Sequence, residues 1–482
     1  MGTRIVHRLA VTACLLCLAA CGTFPANPPL AKYDKSAGYR FDPVPDEADK
    51  RDEMFVILVF SGGGTRAAAL SYGVMEALRD TRIQWQGRNE SLLDEVDVIS
   101  SISGGSFPAA YYALRGSRIF DEFPDKFLYR RIQSDLIKTA LSPPNWFKLA
   151  GSSFGRSDLA AEFYDREVFS GGTYADVIAQ RKRPFVILNA TDLSTGAQFP
   201  FMQDQFDLLC SDLSGVKLAR AAAASSAFPG GLTPLTFQNY AGSCDYQQPA
   251  WVDRAIKDHK SRLNAGRTAR ADRRVDYTQT QTDAKTHISQ PARKYIHLTD
   301  GGVADNIGLR EPLTALASEN SSWSVFTRIN FAQVDKLVVI VVNAATNPAT
   351  ARDKTPKVPG LLETVTTVAT IPLDNYSFET LEMLRATVKE FNKEMDFISG
   401  CKDLAAEKGK QCALDIPTPH QIEFFPVEVA FEYIQSDEER DWYKNLPTSF
   451  ELPRETVDKL RAVGRRILDE DPQFRKLVEE LK

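Results

Sequence analysis

A layered α/β fold with a mostly parallel central sheet is the architecture this chain predicts, and three observations carry it. Met54-Phe55-Val56-Ile57-Leu58-Val59-Phe60 is a continuous apolar run, the pattern of a strand buried on both faces. Ser61-Gly62-Gly63-Gly64 ends it, and residues 65–79, rich in Ala and Leu, read as a helix. The same order then returns, with strands expected at 96–99, 185–189, 295–298 and 337–343 and a helix opening near 108. Strands that alternate with helices build parallel sheets covered on both faces.

The flanks of this unit differ in kind. Arg4, His7 and Arg8 precede an uncharged apolar run over residues 9–20, too short to span a bilayer but long enough for a signal-peptide core. The run ends in Leu18-Ala19-Ala20-Cys21, which resembles a bacterial lipobox. Residues 1–20 are therefore expected to be removed and Cys21 to carry lipid. Gly22 follows where an aspartate would favour the inner membrane. The expected address is the cell envelope of a diderm bacterium, on the outer membrane facing the periplasm. Residues 21–52 contain Pro25, Pro28, Pro29, Pro43 and Pro45 and read as a semi-extended tether. The catalytic unit is expected at 53–345, with a basic, apolar-poor surface excursion at 251–294. Residues 346–482 form an extension with amphipathic helices expected at 377–397, N-capped by Ser377, and from Glu455 onward.

The 482 residues carry a formal charge of −5, too mild for a polyanionic partner, and no nucleic-acid-binding signature is present. Of seven cysteines, Cys14 and Cys17 leave with the signal and Cys21 is modified. The remaining Cys210, Cys244, Cys401 and Cys412 are an even set in an exported chain, and local pairing predicts Cys210–Cys244 and Cys401–Cys412. None of these four shows the CxxC spacing of a zinc site.

Three short segments carry chemistry. Gly62-Gly63-Gly64-Thr65-Arg66 lies between a buried strand and a helix, so its N–H groups can converge at the positive helix end and hold an anion. No Walker lysine and no GxGxxG accompany it. Ser101-Ile102-Ser103-Gly104-Gly105-Ser106 has the setting of a nucleophile elbow, with Ser101 in the place of the usual first glycine. Asp300-Gly301-Gly302 follows the strand expected at 295–298, at the kind of strand end where open α/β sheets place their sites.

Together these segments resemble the patatin-like phospholipase family. The Ala/Ser-rich stretch Ala219-Arg220-Ala221-Ala222-Ala223-Ala224-Ser225-Ser226-Ala227-Phe228-Pro229 is similar too, as are Asn189-Ala190-Thr191-Asp192-Leu193 and Asp300 to Asn306. The resemblance covers about residues 53–345 and implies a three-layer α/β sandwich with a mainly helical C-terminal extension. It departs at Ser61, often Asp in the family, and at Ser101. It implies a serine acyl hydrolase acting on phospholipid or another acyl ester. Asp300 would be the base for the Ser103 nucleophile, and Gly62, Gly63 and Gly64 would form the oxyanion hole. Arg66 would orient the glycine loop or meet a substrate phosphate. This chemistry needs no metal or cofactor.

Two rival readings stand beside it. A Ser-His-Asp hydrolase in the chain order Ser, Asp, His would use Ser103, Asp300 and His420. A catalytically inactive envelope binding lipoprotein would explain Ser101 in the elbow.

Overall fold

The computed structural model describes residues 23–41, 54–309 apart from 86, 181–182, 259–264 and 284–286, then 334–346 and 421–482, with scattered positions between 356 and 408. Its core is an eight-stranded sheet. The strands are β1 (Met54–Phe60), β2 (Val96–Ile102), β3 (Phe185–Asp192), β4 (Gln198–Pro200), β5 (Leu235–Gln238), β6 (Tyr295–Asp300), β7 (Lys336–Asn343) and β8 (Glu423–Ala430). They lie in the order β8-β7-β1-β2-β3-β6-β5, with β4 added beside β3. The run from β8 to β3 is parallel. Strands β6 and β5 close the other side in antiparallel pairing. The central position of β1 explains its unbroken apolar sequence, since all seven residues are buried.

The helices used below are α1 (Gly64–Asp80), α2 (Ser106–Arg115), α3 (Ile132–Ala140), α4 (Pro143–Leu149), α5 (Arg156–Tyr164), α6 (Leu218–Ser225), α7 (Arg454–Glu470) and α8 (Pro472–Glu480). Helix α1 is buried almost all round. A helix of that kind needs cover on both sides. The sheet supplies one side and α7 the other. The two helices approach at glycines: a Cβ on Gly73 would lie 2.3 Å from the Arg461 carbonyl, and one on Gly464 2.9 Å from the Leu70 carbonyl. Asp471 separates α7 from α8 by accepting the N–H groups of Gln473 and Phe474 at 2.8 and 2.9 Å, with Pro472 opening the new helix. The C-terminal region is thus no appendage. It gives β8 to the central sheet and α7 to its cover. The helix expected at 377–397 lies largely outside the described residues.

The N-terminal arm corrects one expectation. Residues 23–41, read as spacer from their prolines, are docked on the domain. The Asn27 side chain donates to Ser211 Oγ (2.7 Å) and the Gln238 carbonyl (3.0 Å), and accepts the Gln238 N–H (2.6 Å). It thereby serves β5 as a strand neighbour would. Leu30 and Tyr33 donate their N–H groups to the carbonyls of Cys210 and Cys244, both at 2.7 Å. Tyr39 is buried and its hydroxyl donates to the Val186 carbonyl at 3.0 Å. Arg40 is buried between Asp204 and Asp207. Prolines stop the arm from forming helix or strand, yet Asn27, Leu30, Tyr33, Tyr39 and Arg40 each find polar partners on the domain.

Cys210 and Cys244 form the expected disulfide. Cys401 is disulfide-bonded as well; Cys412 lies outside the described residues. The basic excursion is largely structured: helices at 250–258 and 265–278 and a small hairpin occupy it. It is pinned to the core, because Tyr277 and Arg293 both donate to the fully buried Asp192. Among the described residues no helix is long and apolar enough to cross a membrane.

Candidate active site

The site forms where β1, β2 and β6 end. Strand β2 stops at Ile102, and Ser103 turns into a left-handed conformation with φ of +48°. That backbone is costly for a residue with a Cβ and occurs where the surroundings impose it. Here they do so through Ser225, the last residue of α6. Ser225 Oγ accepts the Ser103 N–H at 2.9 Å, lies 2.9 Å from Ser106 Oγ, and donates to the Asn189 carbonyl at 2.6 Å. One hydroxyl therefore ties the turn, the start of α2 and strand β3 together. The turn also needs glycines after the serine. A Cβ on Gly104 would lie 2.1 Å from the Gly64 carbonyl, and one on Gly105 2.7 Å from Phe60 Cβ.

Strand β6 delivers Asp300. Register places Asp300 opposite Ala190, while Asn189 pairs with Ile102, so the carboxylate arrives one strand away from the serine turn. The sequence places Asp300 by analogy with a parallel strand end. In the structure β6 is antiparallel and enters from the crevice side, yet reaches the same place. Ser103 Oγ donates to Asp300 Oδ2 at 2.8 Å. Asp300 Oδ1 accepts the Gly302 N–H at 2.9 Å, which fixes the carboxylate plane. Both residues are buried, and burial pushes the Asp300 carboxyl up to about 6, against the lowering effect of the Gly302 and Ser103 hydrogen bonds. A carboxylate of that basicity, bonded to a hydroxyl, is a poised proton acceptor.

The glycine loop closes the third side. A Cβ on Gly62 would lie 3.3 Å from Ser103 Cβ and 2.6 Å from Asn306 Oδ1. Gly63 and Gly64 have φ of +139° and +60°, and Gly64 opens α1. The three expected oxyanion donors are not equivalent. The Gly62 N–H already donates to the Asn306 carbonyl at 3.2 Å, whereas Gly63 and Gly64 stand at the positive end of the helix.

Arg66 lies in the first turn of the helix that this loop opens. Its guanidinium is buried and donates to the carbonyls of Ala344 (3.0 Å) and Leu446 (2.7 Å) and to Thr448 Oγ1 (3.2 Å). These bonds link the start of α1 to the end of β7 and to the C-terminal segment. The departures at Ser61 and Ser101 are also absorbed. Ser61 Oγ accepts the Ala344 N–H at 2.8 Å, and Ser101 Oγ donates to the Ile187 carbonyl at 3.2 Å.

Among the described residues no histidine hydrogen-bonds Ser103 or Asp300. His297 pairs instead with Thr236 Oγ1 at 3.1 Å. His420 lies outside the described residues. Nor do the described residues contain a group of His, Cys, Asp and Glu placed to hold a metal ion. Sequence reasoning missed the parts played by Ser225 and Asn306. A serine closing a run of four buried alanines was the available signal for the first.

A mostly parallel sheet with a buried serine–carboxylate pair at its strand ends and a glycine loop at a helix start defines the class of architecture. The chain belongs to the patatin-like phospholipase family, whose profile it matches over residues 58–313, more than half of its 482 residues. No curated protein sequence matches it. Among solved structures it is similar to human GIVD cytosolic phospholipase A2, at 12% identity and a TM-score of 0.34, with 89% of this chain and 62% of that one covered. The same human enzyme in complex with methyl gamma-linolenyl fluorophosphonate gives 11% identity, a TM-score of 0.33 and coverage of 89% and 59%. VipD from Legionella pneumophila gives 12% identity, a TM-score of 0.28 and coverage of 89% and 67%. The chain thus spans about three fifths of the length of the human enzyme.

Proposed function

We propose that this chain is a lipid acyl hydrolase of the phospholipase A or lysophospholipase type, working through a Ser103–Asp300 dyad. The observation that carries the reading is the 2.8 Å hydrogen bond from Ser103 Oγ to a buried carboxylate that already holds its plane. In the first half-reaction Asp300 takes the Ser103 proton as Oγ attacks the ester carbonyl. The tetrahedral oxyanion is held by the N–H groups of Gly63 and Gly64 at the start of α1. Collapse expels the alcohol, which receives the proton back from Asp300. Water then attacks the acyl-enzyme, giving up its proton to Asp300; as the acyl–Oγ bond breaks, Asp300 returns that proton to Ser103 Oγ and the fatty acid leaves. Membership of the family and the geometry of the pair support this reading together.

Purified protein should hydrolyse a phospholipid or short-chain ester, and a fluorophosphonate should label Ser103 alone. Because the base must be ionised, kcat/KM should climb with pH and level off above about 6. Hydrolysis unchanged between pH 4.5 and 8 would remove Asp300 from the mechanism.

We further propose that Cys21 is lipidated and holds the enzyme on the bacterial envelope, with the outer membrane as its site. The apolar run before Leu18-Ala19-Ala20-Cys21 supports this. Cys21→Ala should leave the membrane fraction or remain unprocessed, and palmitate label should be lost. Membrane-bound, palmitate-labelled Cys21→Ala protein would show the anchor lies elsewhere.

A further inference from the structure

Helices α3 and α4 form a short hairpin that buries Ile132 and packs Leu136 against the core but leaves four large apolar side chains facing water. Ile137 is 54% exposed, Leu141 64%, Trp146 56% and Phe147 49%. Burying none of four large apolar groups within eleven residues is unfavourable for a surface that meets only solvent. The polar residues around them are mostly cationic: Arg130, Arg131, Lys138 and Lys148 stand against the single acid Asp135 over residues 130–149. The fold pairs each of these four cations with an acid, Arg130 with Glu167, Arg131 with Glu451, Lys138 with Asp135 and Lys148 with Glu162, and at least one side chain of three of the pairs is well exposed. Such pairs exchange readily for other anions.

The hairpin is also close to the chemistry. Gln133 on α3 accepts the Ser449 hydroxyl at 2.9 Å and the Phe450 N–H at 3.3 Å. Ser449 in turn gives its carbonyl to the Thr65 N–H at 2.8 Å, in the first turn of the helix that opens at Gly64. One short segment therefore joins the hairpin to the glycine loop. Large aliphatic and aromatic side chains standing in water, joined by one segment to the glycine loop of the proposed lipid-cleaving site, match the acyl layer of a bilayer, with the exposed side chains of the ion pairs at the depth of its headgroups.

We propose that the α3–α4 hairpin is the surface by which this enzyme seats on its lipid substrate, with Ile137, Leu141, Trp146 and Phe147 entering the acyl layer beside the active-site mouth. The proposal rests on the acyl-hydrolase reading for its purpose but not for its test. Full-length protein is reconstituted into phosphatidylethanolamine–phosphatidylglycerol vesicles whose acyl chains carry bromine. Bromine quenches tryptophans that enter the acyl layer, whether or not the enzyme turns over. Wild-type emission should be quenched clearly more than that of the Trp146→Phe variant. Equal quenching in the two would overturn the proposal, and a hairpin covered by another protein would give that result. In the Trp146→Ser, Phe147→Ser double variant, the ratio of vesicle hydrolysis to soluble short-chain ester hydrolysis should fall about tenfold. An unchanged ratio would also overturn the proposal. If wild type cleaves neither substrate, the hydrolase reading fails while the quenching still decides the surface.

Discussion

Ser103→Ala should lose ester hydrolysis to background and lose fluorophosphonate labelling, while remaining folded. On the proposed mechanism the hydroxyl is the nucleophile, and no neighbour is placed to replace it. Ser106 and Ser101 are nearby in sequence, but Ser106 Oγ is engaged with Ser225 and Ser101 Oγ with the Ile187 carbonyl. The fold should survive because the Ser103 side chain makes one hydrogen bond and packs no core. A companion variant separates chemistry from strain. Ser103→Gly also removes the nucleophile but relaxes a φ of +48°, so it should melt higher than Ser103→Ala by the equivalent of about 1 kcal/mol. A folded Ser103→Ala protein that still turns over ester would end the assignment. A glycine variant less stable than the alanine variant would show that the turn is not strained.

Asp300→Asn should lower the rate by roughly 10²–10⁴-fold, the usual cost of a missing general base, and at the same time stabilise the protein at neutral pH. The second half follows from the buried carboxyl. Its folded value is raised to about 6 from an ordinary 3.8, so the folded state resists ionisation that the unfolded chain accepts freely. Below about 3.8 the group is protonated in both states and costs nothing. Between the two values the wild type is progressively destabilised as pH rises, and above about 6 the penalty is complete. The gap of about two units corresponds to on the order of 2–3 kcal/mol. Asparagine carries no such charge, so its advantage should be present at pH 8 and vanish near pH 3.5. Denaturant unfolding at both pH values reads this directly. A variant less stable than wild type at pH 8 would contradict the buried-carboxylate account. If His420 were the base instead, His420→Ala would be as inactive as Ser103→Ala.

Local chemistry made part of this molecule readable. The run at 54–60 announces a central strand because burial on both faces demands apolar residues at every position. The small residues around Ser103 announce a sharp turn, because Gly104 and Gly105 have no room for a Cβ. What stayed hidden depends on distant partners. The antiparallel direction of β6 is set by pairing with β3 and β5, which a run of four alternating residues does not encode. Ser101 looked like damage to the elbow until the Ile187 carbonyl supplied its partner. Arg66 could be given two roles because the groups that bind it lie some 280 and 380 residues further along the chain. The arm at 23–41 has the composition of a linker, and only hydrogen bonds such as Asn27 to Ser211, 184 residues apart, dock it.

If Cys21 carries a lipid as proposed, that docking sets the length of the leash. Were residues 21–52 free, roughly thirty extended residues would let the catalytic body roam about 100 Å from its anchor, enough to work on a facing membrane. With the arm fastened from Asn27 onward and the Phe24 ring already 5.8 Å from Tyr295, the slack between Cys21 and the body is only a few residues, on the order of 10–20 Å. A lipid at Cys21 would then hold the enzyme against one leaflet. Its substrates would be the lipids of the bilayer it sits in, taken in cis, and lipids of an opposing membrane would reach it only if carried there.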